Sequence, residues 1–388
     1  MTKTSNFFFF FLFLFTNVLP FDSFAAERRM RFFSFNHHPA VANDIKNIFE
    51  HLGHEVIAAN TVSYTDSNGT EITSEIFNFE EWLLYVNQEK YDQFFDQFKD
   101  YLSQFDGFIC PHGCTFFPYF AKLNKPIIVI NAVRYEIPFT DKPALWKWLD
   151  NSLIDYAKTG NLFFVANNKG DQKYFKYYTG LDSELIPSLC LYTNQSYTGN
   201  KKYFTCHLHR HVELPNYVTQ TYPNLIQELK RPYTYADYYD YKGIIHFPYQ
   251  NSTMSIFEQY SANIPLFFPS KNFLKELKAT NKNVLGELSY CFLFGGIQPT
   301  TPGDLNNISD PEVLKFWINN SDFYDKNNMP YIQYFDSYEH LENLLRTVNL
   351  QEISQKMKDY NYYRKENVYK KWKEILRKID NQIETISK

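Results

Sequence analysis

The chain has 388 residues, enough for two domains of ordinary size with a substantial core. Net charge is −4 and no long basic tract occurs, which argues against a protein built to hold nucleic acid. Aromatics reach 19%, with 38 Phe and 31 Tyr, so a single tyrosine carries little functional information.

Residues 1–26 read as a signal peptide. Lys3 gives a weakly positive start, Phe7 to Phe15 is an unbroken apolar block, and Ser23-Phe24-Ala25-Ala26 offers small residues for cleavage. The block is short for a membrane span. Two readings compete with it: an uncleaved anchor, and translation from Met30. The first reading expects the secretory pathway, periplasm or exterior, and a Met30 start expects the cytoplasm. Cys110, Cys114, Cys190, Cys206 and Cys291 are odd in number and mostly follow apolar runs, so they read as buried thiols that leave the compartment open. Asn-x-Ser/Thr sequons at Asn68, Asn194, Asn251, Asn307 and Asn319 read as incidental.

The first domain is expected over residues 27–190. A strand from Arg31 leads into the loop Asn36-His37-His38-Pro39 and a helix to about Leu52, with Val41, Ile45, Ile48, Phe49 and Leu52 at helical spacing. Gly53 caps it and Glu55-Val56-Ile57 opens the next strand. This is the start of a Rossmann-like domain without the Gly-x-Gly-x-x-Gly fingerprint, so the first loop is not built for NAD. Residues 60–80 are turn-rich, and helices are expected near Glu80–Asn87 and Tyr91–Phe105. Strands follow at 107–110, 126–130 and 162–166, with intervening helices near 116–123 and 144–159. Asn167-Asn168-Lys169-Gly170 opens a helix to Thr179. Leu185-Ile186-Pro187-Ser188 marks the boundary near 190.

A second domain is expected over 191–350, followed by a helical tail over 351–388. Tyr203 to His211 reads as a strand and Asn224 to Leu229 as a short helix. Lys242 to Ser270 is a βαβ unit: the strand Gly243–Phe247, a polar loop, a helix near 254–262 capped by Ser252 or Thr253, and the strand Leu266–Phe268. Glu258 interrupts the apolar Met254-x-Ile256-Phe257 segment, so its carboxylate needs a partner.

The run SIFEQYSANIPLFFPS resembles the donor-site signature of GT-B glycosyltransferases: an acidic residue on a helix, a small residue about four on, then Pro and a strand. Many members carry a second acidic residue eight positions earlier, where this chain has Gln250. The resemblance implies two Rossmann-like α/β domains facing a cleft. It implies transfer of a sugar from a nucleotide-sugar to a glycan, lipid or protein acceptor. Glu258 would hold the donor ribose, with Ser252, Thr253 and Ser255 near the phosphates. Tyr249, Lys169 and Arg210 are further donor-side candidates. The nucleotide-sugar would be a co-substrate, with no separate cofactor and no metal, and the last helix would pack across both domains.

Three first-domain loops at strand carboxyl ends are expected to share one rim. An attacking acceptor hydroxyl must lose a proton, and His38, His112 and Glu136 qualify as its base. His37, Asn131, Arg134 and Tyr135 are candidates to bind the acceptor. Each of these residues could equally cap a helix or hydrogen-bond backbone. His207, His209 and His211 share one face of an expected strand, a pattern that fits zinc or iron only if another ligand completes it. The competing function class is a secreted, two-lobed α/β solute-binding protein without catalysis.

Overall fold

The computed structural model describes residues 28–61, 87–207, 213–230, 232–281, 283–290 and 299–386, with the backbone of 64–65 and 71–72. The expected signal peptide, the helix near Glu80–Asn87, Arg210, His209, His211 and Cys291 therefore lie outside the described residues.

The amino-terminal half builds one parallel sheet from β1 (Arg31–Asn36), β2 (Glu55–Asn60), β5 (Gly107–His112), β6 (Ile127–Asn131), β7 (Leu162–Ala166) and β8 (Glu184–Leu185). A short antiparallel pair, β3 (Tyr64–Thr65) and β4 (Glu71–Ile72), stands apart from it. The strand order is β2-β1-β5-β6-β7-β8. Central strands of such a sheet are covered on both faces, and the runs Phe32–Phe35 and Ile127–Ile130 are accordingly buried throughout and apolar except for Ser34. The connections are α1 (Pro39–His51), α2 (Gln88–Leu102), a short α3 (Pro118–Ala121), α4 (Pro143–Ala157) and α5 (Lys169–Thr179). Pro39 opens α1, where a missing N–H costs nothing, and Gly53 takes φ +90 after it. The strand order reverses between β1 and β5, so the sheet has its switch point there.

The carboxyl-terminal half builds a second parallel sheet, ordered β9 (Thr205–Cys206), β10 (Ile244–Ile245), β11 (Leu266–Pro269) and β12 (Gln333–Phe335). The expected βαβ unit is present, with α8 (Met254–Ser261) joining β10 to β11. Around it lie α6 (Leu214–Thr221), α7 (Tyr235–Tyr239), α9 (Lys271–Thr280), α10 (Pro311–Asn319) and α11 (Tyr338–Thr347). Two expectations fail here. Asn224–Leu229 is no helix: Phe204 exchanges backbone hydrogen bonds with Leu225 and Gln227, so Ile226 enters the core as a sheet-edge bridge. The strand expected over Tyr203–His211 is shorter at its start, with β9 at Thr205–Cys206, and its part over 208–211 lies outside the described residues.

The fold is thus α/β with two Rossmann-like domains, and the carboxyl ends of their sheets face each other. Loops after β6 and β7 hydrogen-bond directly to the loop after β10. The last helix, α12 (Leu350–Ile386), ties the halves together. Asn361 and Arg364 bond to Tyr260 and Ser261 at the end of α8. Further along, Trp372 packs edge-on against Phe49 of α1 at 5.2 Å, and Val368, Ile375, Leu376 and Ile379 join the same core. Among the described residues no helix is long and apolar enough to cross a membrane. Cys110, Cys114, Cys190 and Cys206 are buried free thiols.

Candidate active site

At the β1/β5 switch point three imidazoles converge. His37 and His38 follow β1, and His112 ends β5. The His38 and His112 rings stack with centroids 4.7 Å apart, and His37 lies 5.6 Å from His112. His112 has φ +86, a left-handed conformation that costs a non-glycine residue roughly 1–2 kcal/mol. Such strain persists where the surroundings over-determine it, often at functional positions. Burial is the main force pushing all three imidazoles down, His37 to about 3, with mutual repulsion adding to it at His37 and His112. All three are therefore neutral at pH 7. Nδ1 of His38 and Nδ1 of His112 are buried and have no hydrogen-bond partner. A neutral imidazole with an unused ring nitrogen can take up a proton or bond a hydroxyl.

The other first-domain candidates do not join this cluster. Glu136 is 0% exposed. Its Oε1 accepts from Thr140 (3.0 Å) and Tyr174 (2.9 Å), and burial pushes the carboxyl up to about 7. Tyr135 is equally buried, donating to Asp150 (2.5 Å) and accepting from Trp146 Nε1 (2.7 Å). A buried phenol needs such partners, and they turn it into the α4 packing rather than toward the rim. Asn131 donates to the backbone oxygen of Asp171 at 3.4 Å.

Arg134 crosses to the second domain. Its guanidinium is buried, pairs with Asp171 at 3.0 Å, and donates to Asn251 (2.8 Å) and Gln250. It lies over the rings of Trp317 (4.9 Å) and Tyr290 (5.1 Å). Asn251 in turn donates to Asn168 at 3.1 Å, and Asn168 to Asp171 at 2.7 Å. Gln250, at the position where many GT-B members carry an acid, thus works in the contact between domains. Lys169 also reaches across, pairing with Asp325 at 2.6 Å.

The first turn of α8 meets the first domain, with Asn167 Nδ2 3.6 Å from Met254 Sδ. Thr253 is its N-cap, yet its side chain makes no capping bond and meets Ser255 Oγ at 2.9 Å. Ser255 in turn lies 3.4 Å from His207 Nε2. Ser252 donates to the buried carboxyl of Asp322, which burial pushes up to about 8. Tyr249 is half-buried in the loop before the helix. Four residues into α8, Glu258 accepts hydrogen bonds from Tyr192 and from Tyr235 (3.0 Å). Both bonds go to Oε1. Burial raises this carboxyl, and the two phenols pull it back down. No signal in the sequence marks Tyr192 or Tyr235 beyond the requirement that Glu258 have a partner. His207 packs against His246 with centroids 4.9 Å apart, and among the described residues no three His, Cys, Asp or Glu side chains are arranged to hold a metal ion.

No family model matches the chain, and no curated protein does. Solved structures are similar to it at low identity. The glycotransferase of kitacinnamycin is 12% identical with a TM-score of 0.45, over 90% of this chain and 99% of that one. The wall teichoic acid polymerase TagF is 12% identical with a TM-score of 0.43, over 92% and 89%. The glycosyltransferase SnogD from Streptomyces nogalater is 11% identical with a TM-score of 0.42, over 86% and 96%.

Proposed function

We propose that this chain is a glycosyltransferase of GT-B type that moves a sugar from a nucleotide-sugar to an acceptor hydroxyl. The observation that carries the reading is Glu258: a carboxylate on α8, the crossover helix between β10 and β11 of the second sheet, bonded through Oε1 alone to Tyr192 and Tyr235. Its Oε2 accepts from the donor ribose. The diphosphate lies against the first turn of α8, whose N–H groups and hydroxyls at Ser252, Thr253 and Ser255 favour negative charge. As the bond from the sugar carbon to the diphosphate oxygen breaks, charge grows on that oxygen, where fixed donors stabilise it most.

The acceptor oxygen attacks from the first-domain side. Its proton passes to an unoccupied Nδ1 of His38 or His112 as the new glycosidic bond forms. His37 helps orient the acceptor, and Arg134 and Lys169 hold the two domains in register. The experiment is release of free nucleoside diphosphate from a panel of nucleotide-sugars, with wild type and Glu258→Ala. Release by wild type that falls at least tenfold in the variant supports the reading; equal release from both overturns it.

A further inference from the structure

The outer face of α12 gathers exposed rings. Among the described residues six large apolar side chains are exposed, and three of them belong to this face or the loop beside it: Tyr331 (42%), Tyr362 (69%) and Tyr363 (63%). The Tyr360 ring lies 6.0 Å from that of Tyr363, and its hydroxyl donates to the backbone oxygen of Asn327, which ties the loop 327–331 to the helix. Tyr331 lies within electrostatic reach of both Tyr360 and Lys356. The loop is also fixed from below, by Arg364 donating to Asn328 at 3.1 Å and Tyr260 donating to the Pro330 backbone oxygen at 2.9 Å. At its end Tyr331 has φ +69, a left-handed backbone that a ring-bearing residue seldom adopts. Strain of this kind is imposed by the surrounding structure and clusters at functional positions. Here it holds an aromatic ring out in solvent.

The same face is basic. Lys358, Tyr362, Glu366, Lys370, Lys373 and Arg377 recur at intervals of four and three, which aligns them on one side of a helix, and all six are exposed. Met357, Val368, Trp372, Ile375 and Ile379, on the other side, are buried. From Lys356 to Lys378 the helix carries nine Lys or Arg against three Asp or Glu, and of these only Arg364 is buried. The segment is thus strongly positive in a chain whose net charge is −4. Lys365 places its Nζ 5.5 Å from the centre of the Tyr362 ring, so cation and phenol sit together. Phenols beside lysines suit a lipid–water boundary, where rings settle at headgroup level and flexible ammonium groups reach the phosphates. From Lys358 to Arg377 the stripe runs about 28 Å along a helix ridge. A ridge has no groove for a peptide, whereas a bilayer offers it a continuous anionic plane.

We propose that the outer face of α12, with Tyr331 beside it, docks on the surface of an anionic lipid bilayer. The cations meet headgroup phosphates, the phenols lie at the boundary, and the buried side of the helix stays in the protein core. This does not depend on the donor-site reading. Each Lys or Arg near an anionic surface strengthens binding roughly fivefold, and salt weakens the attraction.

The test is co-sedimentation with vesicles of phosphatidylcholine alone and of phosphatidylcholine mixed with phosphatidylglycerol, at low and high salt. Four full-length proteins are compared: wild type, Lys358→Glu/Lys370→Glu/Lys373→Glu, Tyr362→Ser/Tyr363→Ser, and Lys147→Glu/Lys173→Glu/Lys275→Glu. The last makes the same change of charge at exposed lysines away from α12. Residues 1–26 are present in all four, so any binding they supply is common to them, and thermal melts establish that each variant is folded. We expect wild type to bind the anionic vesicles at least tenfold tighter than the neutral ones, and less tightly at high salt. The stripe variant should lose about a hundredfold on anionic vesicles, and the tyrosine variant at least about threefold. The distant-lysine variant should stay within about threefold of wild type. No binding by wild type, unchanged binding by the stripe variant, or an equal loss in the distant-lysine variant overturns the inference. So does light scattering that shows the stripe holding two copies of the chain together with no vesicle bound.

Discussion

Arg134→Met removes the one guanidinium that joins Asp171 of the first domain to Asn251 and Gln250 of the second. The pair is buried, so the damage comes chiefly from the Asp171 charge left behind, about 3–5 kcal/mol. The stacking over Trp317 and Tyr290 adds up to about 2 kcal/mol when desolvated. Asp171 keeps its bond from Asn168 at 2.7 Å, which offsets part of the loss, so we expect a net cost of about 4 kcal/mol. The cost also depends on pH. Burial raises the Asp171 carboxyl and Arg134 opposes it; without Arg134 it rises further. The folded variant then holds a proton that an unfolded Asp, with a pKa near about 3.9, has lost, so its stability declines as pH rises from roughly 4. Urea unfolding followed by tryptophan fluorescence at pH 5 and pH 8 should show the larger loss at pH 8. It should also show a split transition, because the contact between domains is what has been lost. Arg134→Met/Asp171→Asn should recover part of the loss, since no charge stays stranded. A single-variant cost under about 1 kcal/mol, or a double variant no better than the sum of its parts, would refute the reasoning.

Asp44 offers a second pH test: burial pushes its carboxyl up to about 6, against about 3.9 unfolded. Its contribution is fully present below the unfolded value and is lost as pH rises through about 6. Wild-type stability should therefore fall relative to Asp44→Asn between pH 4 and pH 7, by up to about 3 kcal/mol in chemical denaturation. His38→Ala and His112→Ala should each lower acceptor-dependent kcat by about 10²–10⁴ with donor KM little changed, read by nucleoside diphosphate release. His112→Gly, which relieves the φ of +86, should lose activity equally without lowering the melting temperature. Trp372→Ala, which takes the buried anchor of α12 off Phe49, should cost about 3–5 kcal/mol in the same unfolding assay.

The first domain is readable because β1, β5 and β6 are buried on both faces and run as largely apolar blocks between periodic helices. The unit around α8 was equally plain, bracketed by Pro248 and Pro265. Asn224–Leu229 misled because an apolar spacing in six residues serves a sheet edge as well as a helix, and only the position of Phe204 decides between them. The histidine cluster was half legible: strand carboxyl ends pointed to one rim, but stacking of His38 on His112 depends on the order β2-β1-β5. The sequence offers Arg134 as an acceptor ligand, and nothing local shows that Gln250 and Asn251, more than a hundred residues away, complete its bonding. Tyr192 and Tyr235 were hidden among 31 tyrosines.

The account stands most directly on whether Glu258 grips a nucleotide. Titration of nucleoside diphosphates into wild type and Glu258→Ala, with both shown to be folded, measures this without knowledge of sugar or acceptor. We expect saturable one-to-one binding of at least one nucleotide by wild type and at least tenfold weaker binding by the variant. Identical affinity in the two proteins would contradict the account.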